Sequence, residues 1–415
     1  MSESQEVPIA TDSEANTYII VLRDGVSTSS FLRSQEEQVN AFSASSVHVF
    51  EHVLNGFTGS FSESHIESIK AHSDVKYVEA DAKCYAYGHQ SDATWNLARL
   101  SRIAPLEKVE PKYHYYYDTP AGRGVDIYIV GEQPDTNLFE QIHGIDVSET
   151  DTGIDTSHPS FENRASWGIT LTGKPNVDTD GHGTHVAGIA MSKQYGVAKE
   201  ANAIAVKVLE NKDSRTTLLV KVLDWILINV KFTKRPSIVN MSIGGDASQA
   251  LDDSVKKLFD TKISVVAAAG NDNKDAKFVS PARSPFAITV GATTFRDKRY
   301  KHSNYGSVVN VFAPGEDIIS TWLHGGSTTY TGTSMAAPHV SGLMACLKSL
   351  ESTRIPSNFW AYVHGGILHD IPDKTPNLLA YNGFYNLGGW PSSAADGDET
   401  NETSRSSHDQ QYLYS

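Results

Sequence analysis

The sequence predicts an α/β chain in which a doubly wound, mostly parallel sheet follows a small ferredoxin-like α+β unit. Three observations carry that expectation. From Gly124 onward, short runs rich in Val, Ile and Ala recur and read as strands buried on both faces. Segments between those runs carry apolar residues at three- and four-residue spacing, as helices crossing over a sheet do. Ahead of them, strand-like and helix-like patterns alternate in the order β-α-β-β-α-β.

In the N-terminal unit, 17–88, residues 18–22 are strand-like and 29–43 helical. Residues 47–61 hold two strands around Asn55-Gly56, 63–72 are helical, and 75–79 form a last strand. Such a unit by itself specifies no function. In the larger unit, 89–387, strands are expected at 125–130, 203–209, 237–242, 263–269 and 288–291, with covering helices at 218–230 and 248–260. The polar leader 1–16 and the Gly-, Ser- and acid-rich tail 388–415 have too few apolar residues to offset the entropy of ordering and are expected to be disordered.

At 415 residues the chain has room for one large core and a smaller appended domain. Hydrophobic residues at 39% and charged residues at 20% are ordinary for a globular protein. A formal net charge of −14 argues against nucleic acid as a partner, because that binding needs clustered Lys and Arg. No run reaches the ~18 to 20 apolar residues that span a bilayer. The nearest, 218–230, contains Lys221 and Asp224, so no membrane span is expected. Residues 1–17 lack the basic start, apolar run and small-residue cleavage site of a secretory signal. With Cys84 and Cys346 as its only cysteines, the chain has no disulfide framework, and packing must supply the stability.

Chemistry concentrates in three segments. They are Asp151-Thr152-Gly153-Ile154, then Asp180-Gly181-His182-Gly183-Thr184-His185-Val186-Ala187-Gly188, then Gly332-Thr333-Ser334-Met335-Ala336-Ala337-Pro338-His339. Acyl transfer near neutral pH needs a hydroxyl nucleophile, a base for its proton, and a carboxylate that fixes the tautomer of that base. Ser334, His182 and Asp151 supply those groups. Ser334 opens a helix with Ala336, Val340, Leu343, Leu347 and Leu350 on one face, which sets its hydroxyl at the positive end of the helix. Ala267-Ala268-Ala269-Gly270-Asn271 reads as a buried strand ending in Gly and an amide donor. Asn271 and the Ser334 backbone N–H would together form an oxyanion hole.

These motifs, with the Ala-Ala-Gly-Asn run, resemble the subtilisin-like serine peptidases, and their wording is most similar to the proteinase K-like fungal branch. The likeness extends from about Thr94 to Leu387. It includes Trp95-Asn96-Leu97-Ala98-Arg99, Gly196-Val197-Ala198, Ser303-Asn304-Tyr305-Gly306 and Thr375-Pro376-Asn377-Leu378-Leu379-Ala380. Residues 18–81 are similar to the family's inhibitory propeptide. The resemblance implies a serine endopeptidase zymogen of broad specificity, with the propeptide held in the active-site cleft and self-cleavage near Gly88-His89. It further implies that Ser242, Ile243 and Gly244 pair with the substrate backbone, and that Ala268, Ala269 and Gly270 line the pocket for the residue before the scissile bond. No cofactor is required. The one ion the resemblance brings is a structural calcium on the carbonyls of Pro285 and Ala287 and the side chain at position 310, where neutral Asn310 replaces a carboxylate and weakens the site. Expected partners are protein or peptide substrates and the chain's own propeptide, with the protein acting as a monomer. Similar proteins follow the secretory route, so an extracellular location is expected, a vacuolar one being equally compatible.

Plainer readings compete with each motif. No second Asp-Thr-Gly or Asp-Ser-Gly accompanies Asp151 to complete an aspartic dyad. His182 and His185 lack a third metal ligand and sit among glycines that suit a turn. A lone Ser at a helix start is usually only a cap, but Ser334 lies within a full octet.

One departure from the family falls at the catalytic carboxylate itself. Residues 131–150 separate the strand 125–130 from Asp151, and deleting them restores one continuous strand. The block opens with Gly131-Glu132, which GGT-GAG encodes, and so reads as a retained intron carrying a splice donor. A genuine surface loop is the other reading, since closure entropy grows slowly with length. In that case 145–150 either takes the strand's place and displaces 125–130, or the carboxylate is misplaced and the chain is a pseudoprotease that serves as an inhibitor or binding protein. A second departure, Asp213-Ser214-Arg215-Thr216-Thr217, is one residue shorter than the family's Gly-Ser-Gly loop, so subsites further upstream of the cut differ.

Overall fold

The computed structural model describes residues 17–38, 47–50, 52–81, 87–106, 112–130, 153–208, 215–350, 359 and 363–383. Asp151, Cys84, the block 131–150, the leader 1–16, the tail 388–415 and the first part of the 213–217 loop lie outside the described residues. Internal contacts divide the chain into two units, Met1–Cys84 and Tyr85–Ser415.

Alternating apolar residues build the first unit. Its elements in chain order are β1 (Thr17–Leu22), α1 (Thr28–Gln38), β2 (His48–Phe50), β3 (Gly56–Ser60), α2 (Glu63–Lys70) and β4 (Val75–Ala80). The strands form one antiparallel sheet in the order β2-β3-β1-β4, which is the ferredoxin-like arrangement expected. Ile20 and Leu22 of β1 meet Phe31, Phe57, Ile66, Ile69 and Val75 in a single cluster. Ser62 caps α2 by accepting the His65 N–H, which satisfies one of the orphan donors of its first turn.

The second unit begins with β5 (Tyr87–Ala93), α3 (Trp95–Leu100) and β6 (Tyr113–Asp118). β5 pairs antiparallel with β6, so the Gly88–His89 bond lies inside a paired strand, with His89 opposite Tyr116. Next come β7 (Asp126–Val130), β8 (Ala165–Thr170), α4 (His182–Met191), β9 (Asn202–Lys207), α5 (Thr216–Thr233) and β10 (Ser237–Met241). Then follow β11 (Gly245–Asp246), α6 (Gln249–Asp260), β12 (Ser264–Ala268), β13 (Val279–Ser280), β14 (Ala287–Thr293) and β15 (Val311–Pro314). The unit closes with β16 (Ile318–Thr321), β17 (Ser327–Tyr330), α7 (Thr333–Leu350), β18 (Val363–Gly365) and β19 (Leu378–Ala380).

The main sheet runs β18-β19-β15-β14-β12-β10-β7-β9-β8 and is parallel apart from β18. Val186 and Ile189 of α4 and Val340 and Leu343 of α7 belong to the core on one face. Leu219 and Val222 of α5 and Leu251 and Val255 of α6 belong to the core on the other. From β7 the chain first builds outward through β8 and β9, then crosses to β10, β12, β14 and β15 on the opposite side. The topological switch therefore lies between β7 and β10, and a ligand site is expected at the carboxyl ends of the neighbouring strands. β7 occupies the centre of the sheet, paired with β9 and β10, with Ile127 and Ile129 on one face and Tyr128 and Val130 on the other. The reading in which 145–150 displaces 125–130 is thereby overturned, because burying this apolar run on both faces outweighs any slipped register.

Candidate active site

Two helix N-termini carry the chemistry. α4 begins at His182 and α7 at Thr333, one residue ahead of Ser334, and the two helices pack against each other through the same apolar core. His182 is fully buried and Ser334 is 6% exposed.

The turn before α4 is built around Asp178, whose carboxylate accepts the backbone N–H groups of Asp180, Gly181 and Thr184 and the Thr184 hydroxyl. Burial pushes its pKa up to about 6, against the hydrogen bonds that favour the charged form. Gly183 permits a close approach, since a Cβ there would lie 2.0 Å from the Gly153 carbonyl oxygen. The Asp155 N–H donates to the Thr184 hydroxyl at 2.8 Å. The chain just after Asp151 is thus seated on the first turn of the His182 helix.

Neither ring nitrogen of His182 has a hydrogen-bond partner among the described residues. Burial, aided by neighbouring His185, lowers its pKa to about 3, so the ring is neutral. His185 has a different part: its Nε2–H donates to the carbonyls of Ile318 at 3.0 Å and Thr328 at 3.2 Å. No cluster of His, Cys, Asp or Glu suited to a metal occurs among the described residues.

On the Ser334 side, Thr333, the Asn271 carbonyl oxygen and the Ser334 backbone carbonyl are engaged. Asn271 follows β12, and its Oδ1 accepts both the N–H and the hydroxyl of Thr333, at 2.9 and 3.0 Å. Its Nδ2 faces Gly332, where a Cβ would lie 3.2 Å away. The amide donor therefore stands beside the backbone leading into Ser334. Asn304 clamps the loop that carries Asn271, donating to the Ala269 carbonyl at 2.8 Å and accepting from the N–H groups of Asp272 and Lys274. Gly270 has φ +102, and a Cβ there would strike the Asn304 amide nitrogen at 2.4 Å.

The residues assigned to substrate contact divide. Gly244 is exposed, Ser242 and Ile243 are buried, and the Ser242 hydroxyl turns inward to donate to the Ser334 carbonyl at 2.9 Å. Ala268 and Ala269 are buried and Gly270 half-exposed at the end of β12. The Trp95-Asn96-Leu97-Ala98-Arg99 run braces the site from behind. Asn96 bonds His339 Nε2 at 2.7 Å, whose Nδ1 contacts the Met335 carbonyl at 2.8 Å, and Arg99 forms a buried ion pair with Asp297. Asn310 accepts the Thr289 N–H on Oδ1 at 2.7 Å. With that oxygen shared and no formal charge in the set, Pro285, Ala287 and Asn310 do not fit a calcium ion. Burial pushes the Cys346 thiol up to about 12, which leaves it unreactive.

Sequence reasoning missed Asp178 and the inward turn of Ser242, and quoted Asn304 and Thr333 within motifs without giving them a role. Asp178 carried a local signal, as a carboxylate just upstream of a helix start.

Comparison with known proteins agrees with this layout. The model of the subtilase family matches residues 143–377, and that of peptidase inhibitor I9 matches residues 17–87. A cuticle-degrading protease of Metarhizium anisopliae is 35% identical over 91% of this chain and 92% of its own length. Proteinase R of Parengyodontium album is 37% identical over 89% of each chain, and alkaline protease 1 of Emericella nidulans 40% over 79% of this chain and 77% of its own. Among solved structures, a cold-adapted subtilisin-like serine proteinase superposes with a TM-score of 0.60 at 34% identity, covering 70% of this chain and 99% of that one. No helix among the described residues is long and apolar enough to cross a membrane. The chain therefore belongs to the subtilase family, as a serine endopeptidase carrying an inhibitor-type propeptide.

Proposed function

We propose that Ser334 is the nucleophile, His182 its general base, Asp151 the carboxylate that orients His182, and Asn271 with the Ser334 N–H the oxyanion hole. The observation that carries this reading is the pairing of Asn271 Oδ1 with Thr333, which aims the free amide nitrogen beside the nucleophile. An oxyanion needs fixed donors where charge develops, and this amide is fixed before substrate arrives. Burial keeps His182 neutral and able to take a proton. The imidazolium it becomes needs a carboxylate at the other nitrogen, and Asp151 lies two residues, at most about 7 Å of chain, before Gly153.

Acylation then runs through Ser334 Oγ attack on the peptide carbonyl, proton transfer from Oγ to His182, and return of that proton to the leaving amine. Water repeats the sequence to free the enzyme, and no cofactor takes part. Exposed Gly244 fits backbone pairing with an extended substrate, and small Ala268, Ala269 and Gly270 leave a pocket suited to broad specificity. We place the protein outside the cell as a monomer, its propeptide occupying its own cleft until cleaved. Because a bond inside a paired strand resists proteolysis, a cut near Gly88–His89 requires β5 to part from β6 at that bond.

The test is active-site labelling with a fluorophosphonate, on chains with and without residues 131–150. Covalent label that disappears in Ser334→Ala is expected. Absence of label from both chains would refute the assignment.

A further inference from the structure

Helix α7 contains Pro338, four residues after Ser334. A proline has no N–H, so the Ser334 carbonyl loses the intrahelical donor that position 338 would otherwise provide. Such a carbonyl, buried beneath the nucleophile, needs another partner. The Ser242 hydroxyl takes that place, donating at 2.9 Å. Asn240, at the carboxyl end of β10, donates its amide to the Ser242 oxygen at 3.0 Å. Ser341, about two turns further along α7, donates to Asn240 Oδ1 at 2.9 Å.

All three side chains belong to residues with no exposed surface. Every bond points the same way, from Ser341 through Asn240 and Ser242 to Ser334, so each polarises the next. The chain of bonds leaves α7, crosses to β10 and returns to α7 at the nucleophile. It ties the start of the helix to the central strand pair, and it leaves the Ser242 hydroxyl no freedom to rotate.

We propose that Ser242, Asn240 and Ser341 form a positioning relay that replaces the hydrogen bond removed by Pro338 and fixes Ser334 for attack. The inference rests on Ser334 being the nucleophile. It gives Ser242 a part played by its side chain, separate from backbone pairing with substrate.

The experiment measures kcat and KM per active site titrated with fluorophosphonate. Ser242→Ala should lower kcat about 10- to 100-fold, with KM changed less than about twofold. Ser341→Ala should lower kcat less, about 3- to 10-fold, and the double variant should be no slower than Ser242→Ala alone. Pro338→Ala restores the missing N–H, so in that background the loss caused by either change should shrink to under about threefold.

A residue that only supports the fold would shift the melting temperature equally in both backgrounds and leave kcat per titrated site unchanged. That outcome, or losses that persist undiminished with Pro338→Ala, overturns the relay. If Ser242→Ala does not accumulate, Ser341→Ala in the two backgrounds decides by the same criterion. A wild-type chain that never labels at Ser334 overturns the nucleophile assignment instead, before any variant is compared.

Discussion

The two helix starts that meet in this active site are prepared to different degrees. Around Ser334, Thr333 and Asn271 hold each other, Asn304 holds the loop beneath Asn271, and Ser242 holds the Ser334 carbonyl. At His182 the backbone is equally well fixed, through Asp178 and Asp180, yet the imidazole has no partner on either nitrogen among the described residues. On the proposed assignment, the fold organises nucleophile and oxyanion donors by itself, while the base depends on a carboxylate from the segment ahead of Gly153. That segment follows the block 131–150, which reads as a departure from the family pattern, so the two halves of the site should respond differently to change.

The largest effect should come from removing that carboxylate. Asp151→Asn should lower kcat about 10⁴-fold, a magnitude measured on a subtilisin, while labelling at Ser334 persists at a reduced rate. Complete loss of label would show that nucleophile and base are not independently organised. On the prepared side, Asn271→Ala should lower kcat about 10²- to 10³-fold with little change in KM, again the size found for a subtilisin amide. A rise in KM instead would mean that Asn271 binds substrate in its ground state.

Stability should be sensitive behind the prepared side. Asp297→Ala leaves Arg99 charged and buried, and should lower unfolding free energy by about 3 to 5 kcal/mol in denaturant titrations of a Ser334→Ala chain. A loss under about 1 kcal/mol would show that the pair behaves as a surface bridge.

The smallest effect concerns pH. Burial holds His185 at about 4 and His339 at about 3, below the 6.5 of the unfolded chain. The unfolded state therefore binds more protons between those values, and each histidine removes stability as pH falls below about 6.5. Asp178 acts in the opposite sense, since burial raises it from 3.8 to about 6 and folding then favours its protonated form. Burial also raises Asp118, Asp126 and Glu316, by less; the two histidine shifts are the larger, so the Ser334→Ala chain should lose stability from pH 6.5 to 4. Stability constant over that range would contradict the buried, neutral histidines.

The parts of this account that were legible in sequence are those with a local pattern. Apolar runs such as 125–130 gave the central strand, and three- and four-residue spacing gave α5 and α6, because burial on a defined face dictates residue type. The motif around Ser334 gave its helix start, whereas the glycines beside His182 read as a turn and the helix that begins there was not expected. The polar contacts between segments were not legible. Asn304, Asn240, Ser341 and Thr333 have no periodic signature, and their value arises only when loops distant in sequence close on the same atoms. The outlet of the Ser334 carbonyl could have been suspected from Pro338, but not its partner. The displaced-strand reading of 145–150 failed for the reason that β7 succeeded, namely complete burial on both faces.

The most direct test of the contrast between the two helix starts is the pH dependence of kcat/KM for wild type and Asp151→Asn. A carboxylate at His182 raises its pKa, so losing it should move the acid limb to lower pH, toward the value of about 3 that burial and His185 set, with residual activity from Ser334 and Asn271. An acid limb that stays in place when Asp151 is neutralised would contradict the account.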